Sequence, residues 1–487
     1  MIPQVTAYCW GDDPIEVLPA RRAGALSLTS SRSAQLPFTC SSVSTSKLFG
    51  QIGGFELTVH GHPGAPDLLD ILADGDWIDV SWKGLTEITT MRGVVRRRVP
   101  TQIAEGPSWT LYGDDHTGVW DQTTLWWNPI ACEDLGGGLT MANLLSAVRE
   151  GGATPAAMVR VFLERFFQDM EVRGRALGSL PPGMPRVGRN FVDSVKFITD
   201  ESVLPRRVAF APHGISFADE NLWACAQDWA DPQFVELHTD LVHPTGRLLR
   251  PTDDQSPANV SLGVIVRDRV HPTDADPTGQ APSGVAPGQA SASPFWRLPL
   301  HQVYRDTEVV REATATNAEE RINVVSMQPP FGNGIPQFAV AGVLYDPTSM
   351  RKHGFRRLNG ESQYVAQAIG NVASIAKACR VALRDWYAPA AYLLSGQIGL
   401  ASCRPEIRCG DRVRVSSGRG GQPTTYYVEG VFNRYDGRRS TTDLTVTRGW
   451  RGTDQSYLAF LRSLQPLWKD TVDTMVGDFN LSAEGLV

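Results

Sequence analysis

Polar and apolar residues alternate with period two along much of the first 130 residues, in segments such as FELTVHG, DWIDVSWKG, MRGVVRRRV and SWTLYGDD, separated by Gly, Pro and Asp turns. Successive side chains of an extended chain point to opposite faces, so short alternating runs at this spacing predict a twisted sheet or small barrel. From Thr140 to Met170 the period becomes helical. Thr154 and Pro155 stand in N-cap and first-turn positions ahead of AAMVRVFLERFFQDM, where Val159, Phe162, Leu163 and Phe166 share one side. A second helix is predicted over 362–388, stopping before Pro389. Strands return in SGQIGL, DRVRVSSG, TTYYVEGVFNRY and TDLTVTRG, and a helical stretch near Tyr457 to Trp468 follows them. The run HPTDADPTGQAPSGVAPGQASASP (271–294) has almost no large apolar residue, cannot offset its ordering entropy by burial, and reads as a linker or long exposed loop.

Two distant β-rich segments share a pattern, one starting at Asp74 and the other at Cys409. Gly75-Asp76 corresponds to Gly410-Asp411, each a turn that launches a strand, and Ile78 and Val80 then match Val413 and Val415. A second strand carries RGVVRR (92–97) in one copy and EGVFNR (429–434) in the other, which aligns Gly93 with Gly430. A glycine inside a strand marks a bulge or sharp bend of the kind small barrels use to close. The third strand brings Trp109 and Leu111 against Leu444 and Val446. These six positions, Gly75, Asp76, Gly93, Gly410, Asp411 and Gly430, are the structural barrel motif, and the chain is read as holding two related barrels.

The segment FADENLWACAQDWADPQFVELHTD (217–240) gathers a thiol, two tryptophans, a histidine and several carboxylates in the manner of a catalytic pocket. Its periodicity argues otherwise. Ser216 and Asp219 resemble a helix start, Leu222, Trp223, Ala226 and Trp229 fall at helical spacing, and Asp231-Pro232 ends the helix. FVELHTD then resumes as a strand, with Phe234 and Glu236 on one face and Val235 and Leu237 on the other. The expectation is a helix-to-strand joint.

At 487 residues the chain is too long for one core. Hydrophobic residues at 42% and charged residues at 20% place it among folded proteins, and a net charge of −6 gives no global pull toward nucleic acid or an anionic membrane. MIPQVTAYCWGDDP lacks the layout of a secretory signal, and no apolar run is long enough for a spanning helix, so a soluble chain made in the cytoplasm is expected. Seven scattered cysteines without a C-x-x-C favour reduced, mostly buried thiols. His60 and His62 share a strand face but lack a third ligand. Asp114, Asp115 and His116 in GDDHTG read as a polar turn between strands. The glycine-rich EDLGGGLT and SGRGGQP lack phosphate-cradling spacing. The basic runs Arg96-Arg97-Arg98 and RKHGFRR (351–357) read as steering or interface charge. No catalytic, cofactor-binding or metal-ligating residue is expected, nor any cofactor.

Three stretches carry a family resemblance: GDWIDVSWKG with MRGVVRR; ENLWACAQDWADPQFVELHTD; and SGQIGLASCRPEIRCGDRVRV with YYVEGVFNRYD and TTDLTVTRG. With PLHQVYRDTEVVREATATNAEERINVVSM (299–327), which looks like an early strand region of the second barrel, the chain resembles the central baseplate hub proteins of contractile-tailed bacteriophages. It is more distantly similar to the hub portion of VgrG spike proteins and the late control gene D family. The resemblance implies a non-enzymatic virion protein of the tail baseplate: a homotrimeric torus with two tube-type barrels per chain, docking the tail tube hexamer on one face and the trimeric central spike on the other. Tape measure and baseplate wedge proteins are further implied partners; no membrane and no specific nucleic acid is, although DNA would pass through the lumen. Cell-wall hydrolysis or glycan-binding adsorption are the alternatives.

The expected fold class is α+β, mainly β, with two related tube-type β-barrel domains joined by mixed α/β and helical segments. The first barrel is placed at 1–130, a helical connector at 131–200, a mixed α/β domain at 201–270 and the linker at 271–294. The second barrel is placed at 295–455 with a helical insertion about 346–389, and a C-terminal helix and tail at 456–487.

Overall fold

The computed structural model describes residues 1–8, 26–27, 38–123 (apart from 63, 66, 73, 104 and 105), 159–160, 163–164, 167, 195–200, 221–269 (apart from 231–232), 294–328, 342–361 and 372–471. The described chain is mainly β. The helix start at Ser216 and Asp219, most of the 140–170 helix, the first turns of the 362–388 helix and all but the end of the 271–294 linker lie outside the described residues.

The first unit comprises β1 (Ile2–Tyr8), the short β2 (Leu26–Ser27), β3 (Phe38–Leu48), β4 (Gly54–Gly61), α1 (Leu68–Ile71), β5 (Trp77–Lys83), β6 (Glu87–Ile103), β7 (Gly106–Asp115) and α2 (Thr117–Asp121). The middle unit is a three-stranded sheet of β8 (Val195–Asp200), β9 (Val235–Val242) and β10 (Ser261–Asp268), in the order β8-β10-β9, with α3 (Leu222–Ala230). Then come α4 (Pro294–Arg297), β11 (Leu300–Tyr304) and β12 (Val309–Thr316). Between β12 and the rest of the second barrel lie β13 (Val324–Gln328), β14 (Val343–Tyr345), α5 (Pro347–His353), β15 (Arg357–Glu361) and α6 (Val372–Tyr387). The second barrel resumes with β16 (Leu394–Leu400), β17 (Arg412–Ser416), β18 (Thr424–Tyr435) and β19 (Ser440–Arg451), followed by α7 (Asp454–Leu464) and β20 (Lys469–Asp470).

Hydrogen-bonded neighbours in the first barrel run β1-β5-β6-β7-β4-β3, and in the second β11-β17-β18-β19-β16-β12, so the two follow the same permutation of strands. The likeness extends to the backbone. Gly75 N donates to Val95 O and Val95 N to Asp76 O, each at 2.9 Å, while Gly410 N donates to Val428 O at 2.8 Å and Val428 N to Asp411 O at 2.9 Å. Both turn glycines need a positive φ, +93° at Gly75 and +85° at Gly410, a region where a Cβ is costly. A bulge follows at the same place in both second strands, between Val95 and Arg97 and between Val428 and Gly430. Another sits in the outer strands, between Cys40 and Ser42 and between Val309 and Arg311. Matched positions fill matched cores: Leu57, Ile78, Val80, Val95 and Leu111 inside the first, Ile398, Val413, Val415, Val428 and Leu444 inside the second.

Two alignments made on sequence alone are corrected by this register. Val95 lies two residues after Gly93, whereas Val428 lies two before Gly430, so Gly93 and Gly430 are four places out of step. Leu111 stands with Leu444 rather than with Val446. Both errors are slips by an even number of residues, four and two, and such a slip returns every side chain of an extended strand to the same face, so alternation does not reveal it. The likeness also stops at the outermost strand, since β1 is antiparallel to β5 while β11 is parallel to β17.

The glycines therefore differ in need. A Cβ on Gly93 would lie 2.2 Å from the backbone oxygen of Asp114, but one on Gly430 would first meet the mobile end of Leu48, at 2.7 Å. Gly93→Ala is expected to destabilise by about 1–3 kcal/mol, and Gly430→Ala by clearly less; equal shifts of the urea midpoint would contradict the register.

The barrels are not separate. β18 pairs antiparallel with β3, Gly430 opposite Leu48 through Tyr435 opposite Val43, which merges both into one continuous sheet. α6 and the sheet β15-β13-β14-β20 share a core with the middle unit, through Val325, Met327, Leu344 and Leu383 packed with Leu222, Trp223 and Val264.

Candidate functional site

The segment that first resembled a pocket forms α3 followed by β9. Asn221 caps the helix, its Oδ1 accepting from Ala224 N at 2.7 Å. Trp223 stacks on Trp120 with centroids 6.2 Å apart, and Cys225 is buried, so this part of the segment is core. β9 is buried on both faces. Its polar row, Glu236, His238 and Asp240, meets the two barrels instead of solvent.

Each member of the row has a different neighbour. Glu236 Oε2 accepts from Arg267 Nε at 2.8 Å and from the Tyr427 hydroxyl at 2.8 Å, and Arg267 Nη2 reaches the Tyr427 oxygen at 2.9 Å. Arg267 and Glu236 belong to the middle sheet and Tyr427 to the second barrel, so this buried triad ties the two together. Burial, and then the Glu236 charge, push the Tyr427 phenol well above its ordinary value, which keeps it a neutral donor. His238 lies edge-on against Phe49 at 4.6 Å, and neither ring nitrogen has a hydrogen-bond partner. Burial, then the Arg267 charge, hold its pKa well below the usual value.

Asp240 sits at a three-way joint. Its Oδ1 accepts from Arg408 Nη1 at 2.9 Å and from Lys47 Nζ at 3.3 Å, and Lys47 is 3.7 Å from Asp115. Arg408, on the turn before Gly410, also donates to Thr89 O at 3.1 Å in the first barrel and to Gln255 Oε1 at 2.8 Å in the middle unit. Burial alone would raise the Asp240 carboxyl, but Lys47 and Arg408 outweigh it and hold the pKa down to about 2. A further buried pair, Arg92 with Asp79 at 2.7 and 2.8 Å, sends its guanidinium on to Pro257 O at 2.9 Å, fastening the first barrel to the middle unit.

The structure places the GDDHTG residues differently from the expected turn between strands: they end β7 and enter α2. Asp114 pairs with Arg96 at 2.8 Å. Asp115 caps Thr117 N at 2.9 Å and accepts from Thr239 at 3.1 Å. His116 is buried with Nε2 3.0 Å from Gly263 O, and burial lowers its pKa to about 4. His60 bonds Ser41 Oγ at 2.7 Å and His62 is exposed. Of the arginine run, Arg96 bonds Gln122, Arg98 reaches Asp74 and the carbonyls of Leu69 and Leu72, and Arg97 is exposed. Arg351, Lys352 and His353 end α5 at the surface.

Among the motif residues, Asp411 is buried, accepts from Arg408 N at 2.9 Å and lies 2.8 Å from His301 Nε2. Of the five cysteines described, Cys225, Cys379, Cys403 and Cys409 are buried and Cys40 is half-buried; Cys9 and Cys132 lie outside the described residues. Burial pushes the thiols of Cys40 and Cys403 up to about 12, which makes poor nucleophiles. Among the described residues no group of three His, Cys, Asp or Glu is arranged to hold a metal ion. The carboxylates of this seam are spent on neighbouring cations, so its chemistry is that of a fastening between units. Sequence reasoning missed Lys47, Arg267, Arg408 and Tyr427; the available signal was the charge of Glu236, His238 and Asp240 at alternate positions of a strand whose other face is apolar.

No protein-family model and no curated protein sequence matches the chain. Among solved structures, it is similar to a tail protein from Neisseria meningitidis MC58, at 13% identity over 84% of this chain and 92% of that one, with a TM-score of 0.43. It is also similar to the 43 kDa tail protein of prophage MuSo2 from Shewanella oneidensis, at 9% identity over 92% and 98% of the two chains, TM-score 0.45. A third similar structure is an E. coli component of the type VI secretion system, itself described as structurally similar to the T4 bacteriophage tail proteins gp27 and gp5; identity is 8% over 87% of this chain and 78% of that one, TM-score 0.39.

Proposed function

We propose that the chain is a structural ring subunit: a homotrimeric tail baseplate hub in which six barrel units surround a lumen and adapt a sixfold tail tube to a threefold central spike. The observation that carries this reading is the repeat itself. Two barrels with one strand order and two shared bulges are joined edge to edge in a continuous sheet, so one chain already contains a sixth-turn step if three copies close. A closed ring must match the symmetry of what it touches, and two similar units per chain let a trimer meet a hexamer on one face and a trimer on the other. The buried charged seam suits this role, since it locks the two barrels at one angle. The tube hexamer and the spike are the proposed partners, with tape measure and wedge proteins at the periphery, in the tail of the virion.

Size-exclusion chromatography with light scattering tests the stoichiometry. A mass three times that of the chain is expected at micromolar concentration, and a monomer at every concentration and salt would overturn the ring.

A further inference from the structure

The contact between the two barrels of one chain is heterologous: the outer edge of β3 in the first meets the second half of β18 in the second. Every barrel of this kind thus has a giving edge and a receiving edge, and one of each is used inside the chain. The other two can be located. Opposite the matched core residues Leu57 and Ile398 stand Val43 and Glu312, which maps β3 residues 43–48 onto residues 312–317. Counting from the shared bulge after Val95 and Val428 maps residues 430–435 onto residues 97–102. Among the described residues, β12 has a ladder partner only in β16, and residues 97–102 only in β7.

Resting on the ring reading, we infer that β12 of one copy pairs antiparallel with residues 97–102 of β6 in a second copy, with Thr316 opposite Arg98, Ala315 opposite Val99 and Ala313 opposite Thr101. An open edge is a template for strand addition, and continuity with the intrachain sheet selects the same chain as its occupant. Ala313, Ala315 and Thr316 are exposed and small, as are the approaches at Pro100 and Thr101 open to solvent. Charge agrees: Arg97 would stand opposite Asn317, next to the exposed Glu319 and Glu320. Pro100 would face Thr314 where Asn433 faces Thr45 inside the chain. Proline has no N–H to give, so the ladder between copies has fewer hydrogen bonds available and is the weaker of the two.

The test combines Val99→Cys with Ala315→Cys in the full chain. Directly opposed strand positions bring Cβ atoms within disulfide reach, and positions two residues out of register do not. Mild oxidation is expected to give covalent dimers and trimers from this pair, and none beyond the background of either single variant from Val99→Cys with Ala313→Cys. Light scattering on the same samples separates the two ideas. A trimer that cross-links only out of register, or not at all, overturns the pairing and leaves the ring standing; a monomer throughout overturns both. Arg97→Glu, an exposed change that leaves the barrel core untouched, is expected to raise the concentration at which the trimer dissociates by about tenfold through repulsion from Glu319 and Glu320, and an unchanged midpoint would count against the pairing.

Discussion

Arg267→Met should unfold at a much lower denaturant concentration than the parent chain, with a loss of about 3–5 kcal/mol. Among the described residues, the guanidinium is the only cation in hydrogen-bond contact with the buried Glu236 carboxylate, at 2.8 Å, and the Tyr427 hydroxyl alone cannot neutralise that charge. The cost comes from leaving a carboxylate in a dry interface more than from the attraction lost. The triple variant Arg267→Met, Glu236→Met, Tyr427→Phe separates these effects, because it removes every polar member at once and should recover most of the stability. If the triple variant were as unstable as the single, packing and not uncompensated charge would be the cause. A loss under about 1 kcal/mol in the single variant would mean that the triad is far wetter than its burial implies.

Acid should loosen the same seam in two stages. His116 and His238 are buried and held neutral, with pKa values below their usual range. A histidine whose folded value lies below its unfolded one binds fewer protons folded than unfolded, so its stabilisation is complete above about pH 6.5 and is lost as the pH falls toward the folded value, about 4 for His116. For a shift of that size the loss is about 3 kcal/mol. Asp240 acts lower down: its contribution is present above its ordinary value of 3.8 and disappears as the pH drops to about 2. Thermal melting from pH 7 to pH 4 should therefore show a steady fall in Tm. His238→Leu should be at least as stable as the parent at pH 7, since neither ring nitrogen makes a hydrogen bond there, and its Tm should fall less steeply with acid. The groups facing that ring are Phe49, Arg267, Asp240 and Lys47. An unchanged slope in His238→Leu would remove this histidine from the account.

Local signals proved legible where the physics is local. Alternation in DWIDVSWKG and TTYYVEGVFNRY follows from the geometry of an extended chain and marks β5 and β18; helical spacing in LWACAQDWA marks α3. The mainly β fold could be read from these runs one at a time. The glycine alignment failed because alternation is blind to a slip of an even number of residues: moving RGVVRR four places against EGVFNR leaves every side chain on the same face.

By itself the sequence determined the strands, the Gly-Asp turns at 75–76 and 410–411, and the existence of two similar β units, since each depends only on residues close in the chain. Tertiary structure alone decided where the polar face of β9 would go. Glu236, His238 and Asp240 read the same whether that face meets water or another protein surface; only the placement of Lys47, Arg408 and Tyr427, each more than 150 residues away, turned it into a buried joint. Coulomb attraction and desolvation act across space and leave no period in the sequence.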